Sequence, residues 1–129
     1  MKENEILIGV CGAHMSGLSL NWQLTDLDAT FVKQTKTKQG YRLFVLENKT
    51  PIRPGMIYDN SSKGQIDVEI WSMPIENFGK FMKQIQSPLG IGTVYLEDES
   101  IVYGFLCESD YIKNAKEITE MKSWRNFIS

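Results

Sequence analysis

Much of this chain alternates apolar and polar positions with the two-residue period of strands. Glu5 to Val10 opens with the apolar run Ile6-Leu7-Ile8-Gly9-Val10, a short buried strand. Thr30 to Thr35 is β-branched and alternating, and Tyr41 to Glu47 reads as another strand. Gln39-Gly40 marks a turn between them, so the two are expected to pair as a hairpin. Alternation places Tyr41, Leu43 and Val45 on one face, with Arg42, Phe44 and Leu46 on the other. From Glu47 to Gly64 proline, glycine, asparagine and serine dominate, and only Met56-Ile57-Tyr58 looks extended. Gln65 to Ser72 sets Ile66, Val68 and Ile70 against Asp67, Glu69 and Trp71, the pattern of one buried and one partly polar face. Thr93 to Leu96 and Ile101 to Leu106 make a hairpin around the acidic tip Glu97-Asp98-Glu99-Ser100.

The period lengthens after Ser72. Ile75, Phe78, Met82 and Ile85 recur at helical spacing, predicting a helix that starts at Met73-Pro74 and runs to about Gln86. Glu76 near its start and Lys80 and Lys83 later suit the helix dipole, and Ser87-Pro88 ends it. Gly79 weakens it by roughly 1 kcal/mol against alanine, and is expected to allow close packing on the sheet. Leu18, Leu20, Trp22, Leu24 and Leu27, broken by Asn21 and Thr25, predict an irregular or single-turn helix. A last helical turn, Ser123 to Ile128, brings Trp124, Phe127 and Ile128 to cap the core. The class is α+β: a mixed sheet with a few short helices, one domain over residues 1–129.

With 129 residues, 42 % apolar and 23 % charged, the chain can bury a core without disulfide staples. A net charge of -2 gives no reason to expect nucleic acid or an anionic membrane as partner. The start, Met1-Lys2-Glu3-Asn4-Glu5, does not read as a signal peptide, and no stretch approaches the ~20 apolar residues of a membrane span. A cytoplasmic protein is expected. Cys11 and Cys107 end strand-like runs and read as small buried thiols. One histidine and two cysteines without CxxC or HxxxH spacing give no metal site, and no phosphate-loop or dinucleotide motif implies a cofactor.

The chemistry concentrates in Gly12-Ala13-His14-Met15-Ser16-Gly17-Leu18-Ser19-Leu20-Asn21, which follows the first strand and holds the single histidine. Glycines at a strand end let backbone amides approach a ligand. A second glycine-bearing stretch, Leu89-Gly90-Ile91-Gly92-Thr93, lies about eighty residues on. Should the two meet, the amides of Gly12, Ala13, Gly90, Ile91, Gly92 and Thr93 form a concavity suited to a small carboxylate or carbamate. His14, with an unperturbed pKa of about 6.5, is the candidate general acid or base. Ser16 beside it is an expected substrate-binding residue; it also invites a nucleophile reading, but no G-x-S-x-G elbow exists. Asn21 and Gln23 are placed to bond a carboxylate or orient the His14 ring. Arg42 and Tyr41 are further ligand contacts. Glu69 and Glu108, among apolar strand residues, are acid or base candidates, since burial raises carboxylate pKa values. Each has a plainer alternative: turn residues, caps, a surface ion pair, a glutamate facing solvent.

Taken in order, Gly12-Ala13-His14-Met15-Ser16-Gly17-Leu18-Ser19-Leu20-Asn21-x-Gln23-Leu24 resembles the G-A-H-L-S-G-x-x-L-N-x-Q-L signature of the allophanate hydrolase C-terminal domain. Tyr41-Arg42-Leu43-Phe44, Arg53-Pro54-Gly55, Val68-Glu69-Ile70-Trp71, Pro88-Leu89-Gly90-Ile91-Gly92-Thr93, Gly104-Phe105-Leu106-Cys107-Glu108, Ile118-Thr119 and Trp124-Arg125 agree with it in sequence. The resemblance implies a fold similar to γ-glutamyl cyclotransferase, a small mixed β-barrel-like sheet flanked by short helices. In that family an N-terminal amidase domain with a Ser-cis-Ser-Lys centre hydrolyses allophanate. The C-terminal domain then promotes decarboxylation of the N-carboxycarbamate product, as in urea degradation. The family's histidine corresponds to His14. This chain carries no amidase half, and Gly12-Ala13-His14 replaces the Tyr-Gly-Ser loop of true cyclotransferases. The resemblance implies a decarboxylation-assisting domain. The alternatives are a non-catalytic module that binds a small carboxylate or partners a separate amidase subunit, and a γ-glutamyl cyclotransferase-like enzyme. Oligomeric state is not legible, a homodimer being one arrangement.

Overall fold

The continuous apolar run Ile6-Leu7-Ile8 suits a strand in the interior of a sheet, and the first strand takes that place. In the computed structural model, which describes residues 4–47, 49 and 51–129, β1 (Glu5–Val10) is central in a five-stranded sheet. It pairs antiparallel with β5 (Asp67–Pro74) and parallel with β7 (Ile101–Cys107). β2 (Thr30–Lys36) and β6 (Leu89–Tyr95) form the edges, giving the order β2-β5-β1-β7-β6. A second sheet holds β3 (Tyr41–Leu46) between β4 (Arg53–Tyr58) and β8 (Lys116–Glu117). Both sheets are open, so the barrel-like expectation is replaced by two sheets around one core. Ile8, Val10, Leu43, Val45, Val68 and Ile70 are all buried in it. The Tyr41 hydroxyl, from β3, accepts the Tyr95 N–H at 2.9 Å and ties the sheets together.

Three helices are short: α1 (Trp22–Thr25), α2 (Phe78–Met82) and α3 (Trp124–Ile128). The single-turn helix expected after the histidine stretch is α1. Ser123 caps α3, its hydroxyl accepting the Asn126 N–H. Trp124 is buried and Phe127 half-buried, but Ile128 is exposed and does not cap the core. Among the described residues no helix is long and apolar enough to cross a membrane.

Five local expectations are corrected. β2 and β3 do not form a hairpin: β2 pairs with β5, and β3 with β4 and β8. The buried Thr37 bridges Leu96, Lys38 N–H bonds Tyr95, and Gly40 at φ +123° turns the chain into the other sheet. Alternation identifies a strand but not its partner. The expected helix from Met73-Pro74 gives way to strand, because β5 continues to Pro74 against Glu5 of β1. A 3-10 turn over Ile75–Asn77 and then α2 follow. Gly79 does not serve close packing, since a Cβ there would meet nothing within 4 Å. Finally, β5 is buried from Val68 to Met73 on both faces, and Leu89 to Thr93 is not a glycine turn but the first part of β6.

Candidate active site

Where β1 ends, the chain turns under the sheet instead of extending it. Met15 N–H bonds the Gly12 carbonyl, Leu20 N–H bonds the Ala13 carbonyl at 2.9 Å, and Asn21 Nδ2 donates to the His14 carbonyl at 2.8 Å. Gly12 permits this path because the Pro54 ring lies where its side chain would be. The turn delivers the His14 ring to a buried position, 6 % exposed. There it meets Phe81 of α2 edge-on, with centroids 5.5 Å apart, and Phe105 of β7 at 5.0 Å. Its Nε2 lies 2.7 Å from Gln23 Oε1 and donates to it. That bond fixes the tautomer and leaves Nδ1 as the basic nitrogen.

Burial pushes the His14 pKa below its ordinary 6.5. The Gln23 hydrogen bond opposes the shift and the Arg53 charge reinforces it, and the net direction is down. The imidazole is therefore neutral at pH 7. It lines a cavity of about 20 Å³ with Gly12 and Ala13, Arg53 and Pro54 of β4, and Leu89 of β6. That volume holds about one water molecule, so the cavity beside the histidine is small.

Arg53 is the residue that the sequence reading left without a role. Its Nε is buried and has no hydrogen-bond partner among the described residues. A buried guanidinium N–H without an acceptor is costly, and here it belongs to a side chain lining the histidine cavity. The signal was an arginine within Arg53-Pro54-Gly55, hidden by a segment whose prolines and glycines look like loop.

Several proposed ligand contacts are not brought to this cavity. Of the second glycine stretch only Leu89 lines it; Gly90, Ile91, Gly92 and Thr93 continue along β6 in register with Leu106 to Tyr103 of β7. Arg42 grips Glu117 through Nε and Nη2 at 3.0 and 2.8 Å and also meets Asp59. Tyr41 is buried and spends its hydroxyl on Tyr95. Glu108 is exposed, not a buried acid. Ser16 Oγ donates to Glu69, not to His14. Glu69 is buried, but burial does not win: the Ser16 N–H, Arg125, Trp71 and Ser16 O–H bonds together hold its carboxyl below the usual range. It is a carboxylate, not an acid poised near neutral pH. Cys11 lines the cavity, yet burial pushes its thiol up to about 12, which leaves no thiolate nucleophile. Among the described residues no three His, Cys, Asp or Glu side chains are grouped to hold a metal.

The two open sheets, with their few short helices, have the fold of the γ-glutamyl cyclotransferase-like class. An AIG2-like protein from Mus musculus shares it, with a TM-score of 0.58 and 19 % identity over 81 % of this chain and 77 % of that one. Within that class the chain belongs to the allophanate hydrolase C-terminal domain family, whose model matches residues 6–129. The urea amidolyase of Saccharomyces cerevisiae is 40 % identical over 127 residues, which are 95 % of this chain and 7 % of that protein. Kluyveromyces lactis allophanate hydrolase superposes with a TM-score of 0.92 at 36 % identity, over 97 % of this chain and 21 % of that one. A uropathogenic E. coli-specific protein of similar extent superposes with a TM-score of 0.89 at 34 % identity, over 99 % of this chain and 97 % of that one. The chain thus spans a small part of the curated relatives it matches.

Proposed function

We propose that this domain binds a small dicarboxylate of the N-carboxycarbamate type and assists its decarboxylation, with His14 handling the proton and Arg53 anchoring a carboxylate. The observation that carries the reading is one small cavity lined by both a neutral imidazole and Arg53, whose buried Nε has no acceptor among the described residues. A carboxylate answers both. It gives Arg53 Nε its missing acceptor, and its negative charge favours protonation of His14 Nδ1. The amides of Gly12 and Ala13 add donors at the same wall.

The chemistry then balances. The carbon–nitrogen bond to one carboxylate breaks, carbon dioxide leaves, and the electron pair stays on nitrogen. His14 delivers the proton that nitrogen needs, leaving carbamate. Proton transfer by a placed group is worth ~10²–10⁴ in rate. A cavity of about 20 Å³ admits such a ligand only when its wall gives, and Arg53 and Pro54 on β4 are the part of that wall nearest solvent-exposed Ile52.

The test is carbon dioxide release when an amidase generates the substrate from allophanate in the assay. Wild type should exceed the uncatalysed rate, and His14→Ala and Arg53→Ala should fall to it. Equal rates for wild type and His14→Ala would remove His14 from the mechanism. A second reading, a module that partners an amidase, is favoured by the relatives, in which the matching segment is 21 % of an allophanate hydrolase chain. Co-purification with an amidase and no effect on carbon dioxide release would favour it.

A further inference from the structure

Ser16, two residues beyond His14, is held from three directions. Its N–H donates to Glu69 Oε1 at 2.8 Å, and its hydroxyl donates to Glu69 Oε2 at 3.0 Å. Its carbonyl accepts from Arg125 Nη2 at 2.6 Å. Arg125 also reaches Glu69 Oε2 at 3.0 Å, while Trp71 Nε1 donates to Glu69 Oε1 at 3.1 Å. Glu69 sits on β5 and Arg125 on α3, so sheet and helix grip the histidine turn at one point. Glu69 is 3 % exposed. The Arg125 side chain is 40 % exposed, and an ion pair that leaves one partner in water is weak evidence for stability. Its distinctive property is convergence: the one nitrogen Arg125 Nη2 bonds both the Glu69 carboxylate and the Ser16 carbonyl, so α3, β5 and the turn are joined at one point.

We infer that Glu69 and Arg125 are positioning residues for His14, acting through Ser16 to fix the turn that presents the imidazole to the cavity. The inference deepens the proposed function and rests on His14 being its proton handler. The turn's own bonds, Met15 to Gly12 and Leu18 to Met15, close it locally without setting its angle to the sheet. The Glu69–Arg125 clamp sets that angle. Site residues need supports that hold them to within a fraction of an ångström, and an error of about 1 Å costs up to ~10²-fold in rate.

Because His14 is the single histidine of the chain, its imidazole nitrogen signals can be read without ambiguity. The experiment compares Arg125→Ala, Arg125→Lys and Phe127→Ala, the last removing half-buried packing from α3 without touching the clamp. Malonate, a stable dicarboxylate, is the probe, with melting temperature recorded for each variant. Arg125→Ala should weaken malonate binding about tenfold and move the His14 signals while the protein is folded, and Arg125→Lys should recover most of both. Phe127→Ala should lower the melting temperature and leave the signals in place. Should Arg125→Ala fail to fold, Ser16→Ala, which removes only the hydroxyl, should give a smaller shift of the same signals. Unmoved His14 signals in the folded Arg125→Ala or Ser16→Ala protein overturn the inference. Failure of the wild type to bind malonate counts instead against the carboxylate reading, and the His14 signals still decide the positioning role.

Discussion

Adding one methyl group at Gly12 and at Gly79 should have opposite consequences. A Cβ at Gly12 would lie 2.5 Å from Pro54 Cδ and 2.6 Å from Cγ, about an ångström inside ordinary contact at 3.4–4 Å. The proline ring is tied into the β4 backbone and cannot rotate away. Forcing a methyl into a packed site costs about 1–3 kcal/mol, and this rigid neighbour argues for the upper half. For a domain of this size each kcal/mol moves the melting temperature by about 3–5 °C, so Gly12→Ala should melt roughly 6–15 °C lower. A Cβ at Gly79 meets nothing within 4 Å, in the first turn of α2. Removing a helical glycine there is worth up to about 1 kcal/mol, and Gly79→Ala should melt a few degrees higher. Since Gly12 and Pro54 both line the histidine cavity, calorimetric titration with malonate should show binding lost in Gly12→Ala and kept in Gly79→Ala. A Gly12→Ala protein that melts and binds like wild type would refute the packing argument.

Gln23→Leu should leave the His14 Nε2–H without an acceptor, costing about 1–3 kcal/mol in thermal melts. Because the Gln23 bond favours the charged ring, its loss should lower the His14 pKa further, as read by NMR. Arg42→Ala removes a half-exposed ion-pair cluster with Glu117 and Asp59, so stability should change by no more than about 1 kcal/mol and carbon dioxide release should be unchanged. The folded pKa of His14 lies below 6.5, so between that value and 6.5 the unfolded chain binds more protons. Stability should therefore be fullest above 6.5 and fall as pH drops through this window. Subtracting the profile of His14→Gln isolates the slope from the opposite contribution of Asp67, whose pKa is raised by burial; identical profiles would contradict the lowered value.

The strands were largely legible because their period survives in the sequence; their partners were not. Nothing in Thr30 to Leu46 says that Thr37 and Gly40 carry the chain from one sheet to another. That outcome depends on Leu96, Ile66 and Tyr95, far along the chain. Glu69 illustrates the same limit: alternation marks it as polar in a strand, but its burial and its charge follow from Ser16 and Arg125, 53 residues before and 56 after it. At the candidate site, the turn around His14 could be read from its glycines and Gln23 from its nearness. Arg53 could not, because a strand containing Pro54 and Gly55 has no strand-like pattern. Arg42, with the more regular setting, drew the carboxylate role that the geometry gives no support.

The central claim is that a neutral His14 faces a carboxylate site lined by Arg53. Titrating the His14 imidazole nitrogens against pH, with and without saturating malonate, tests it most directly. The account predicts a pKa below 6.5 in the free protein, an upward shift when malonate is bound, and loss of that shift in Arg53→Ala. An imidazole already charged at neutral pH, or one whose titration malonate leaves untouched, would contradict it.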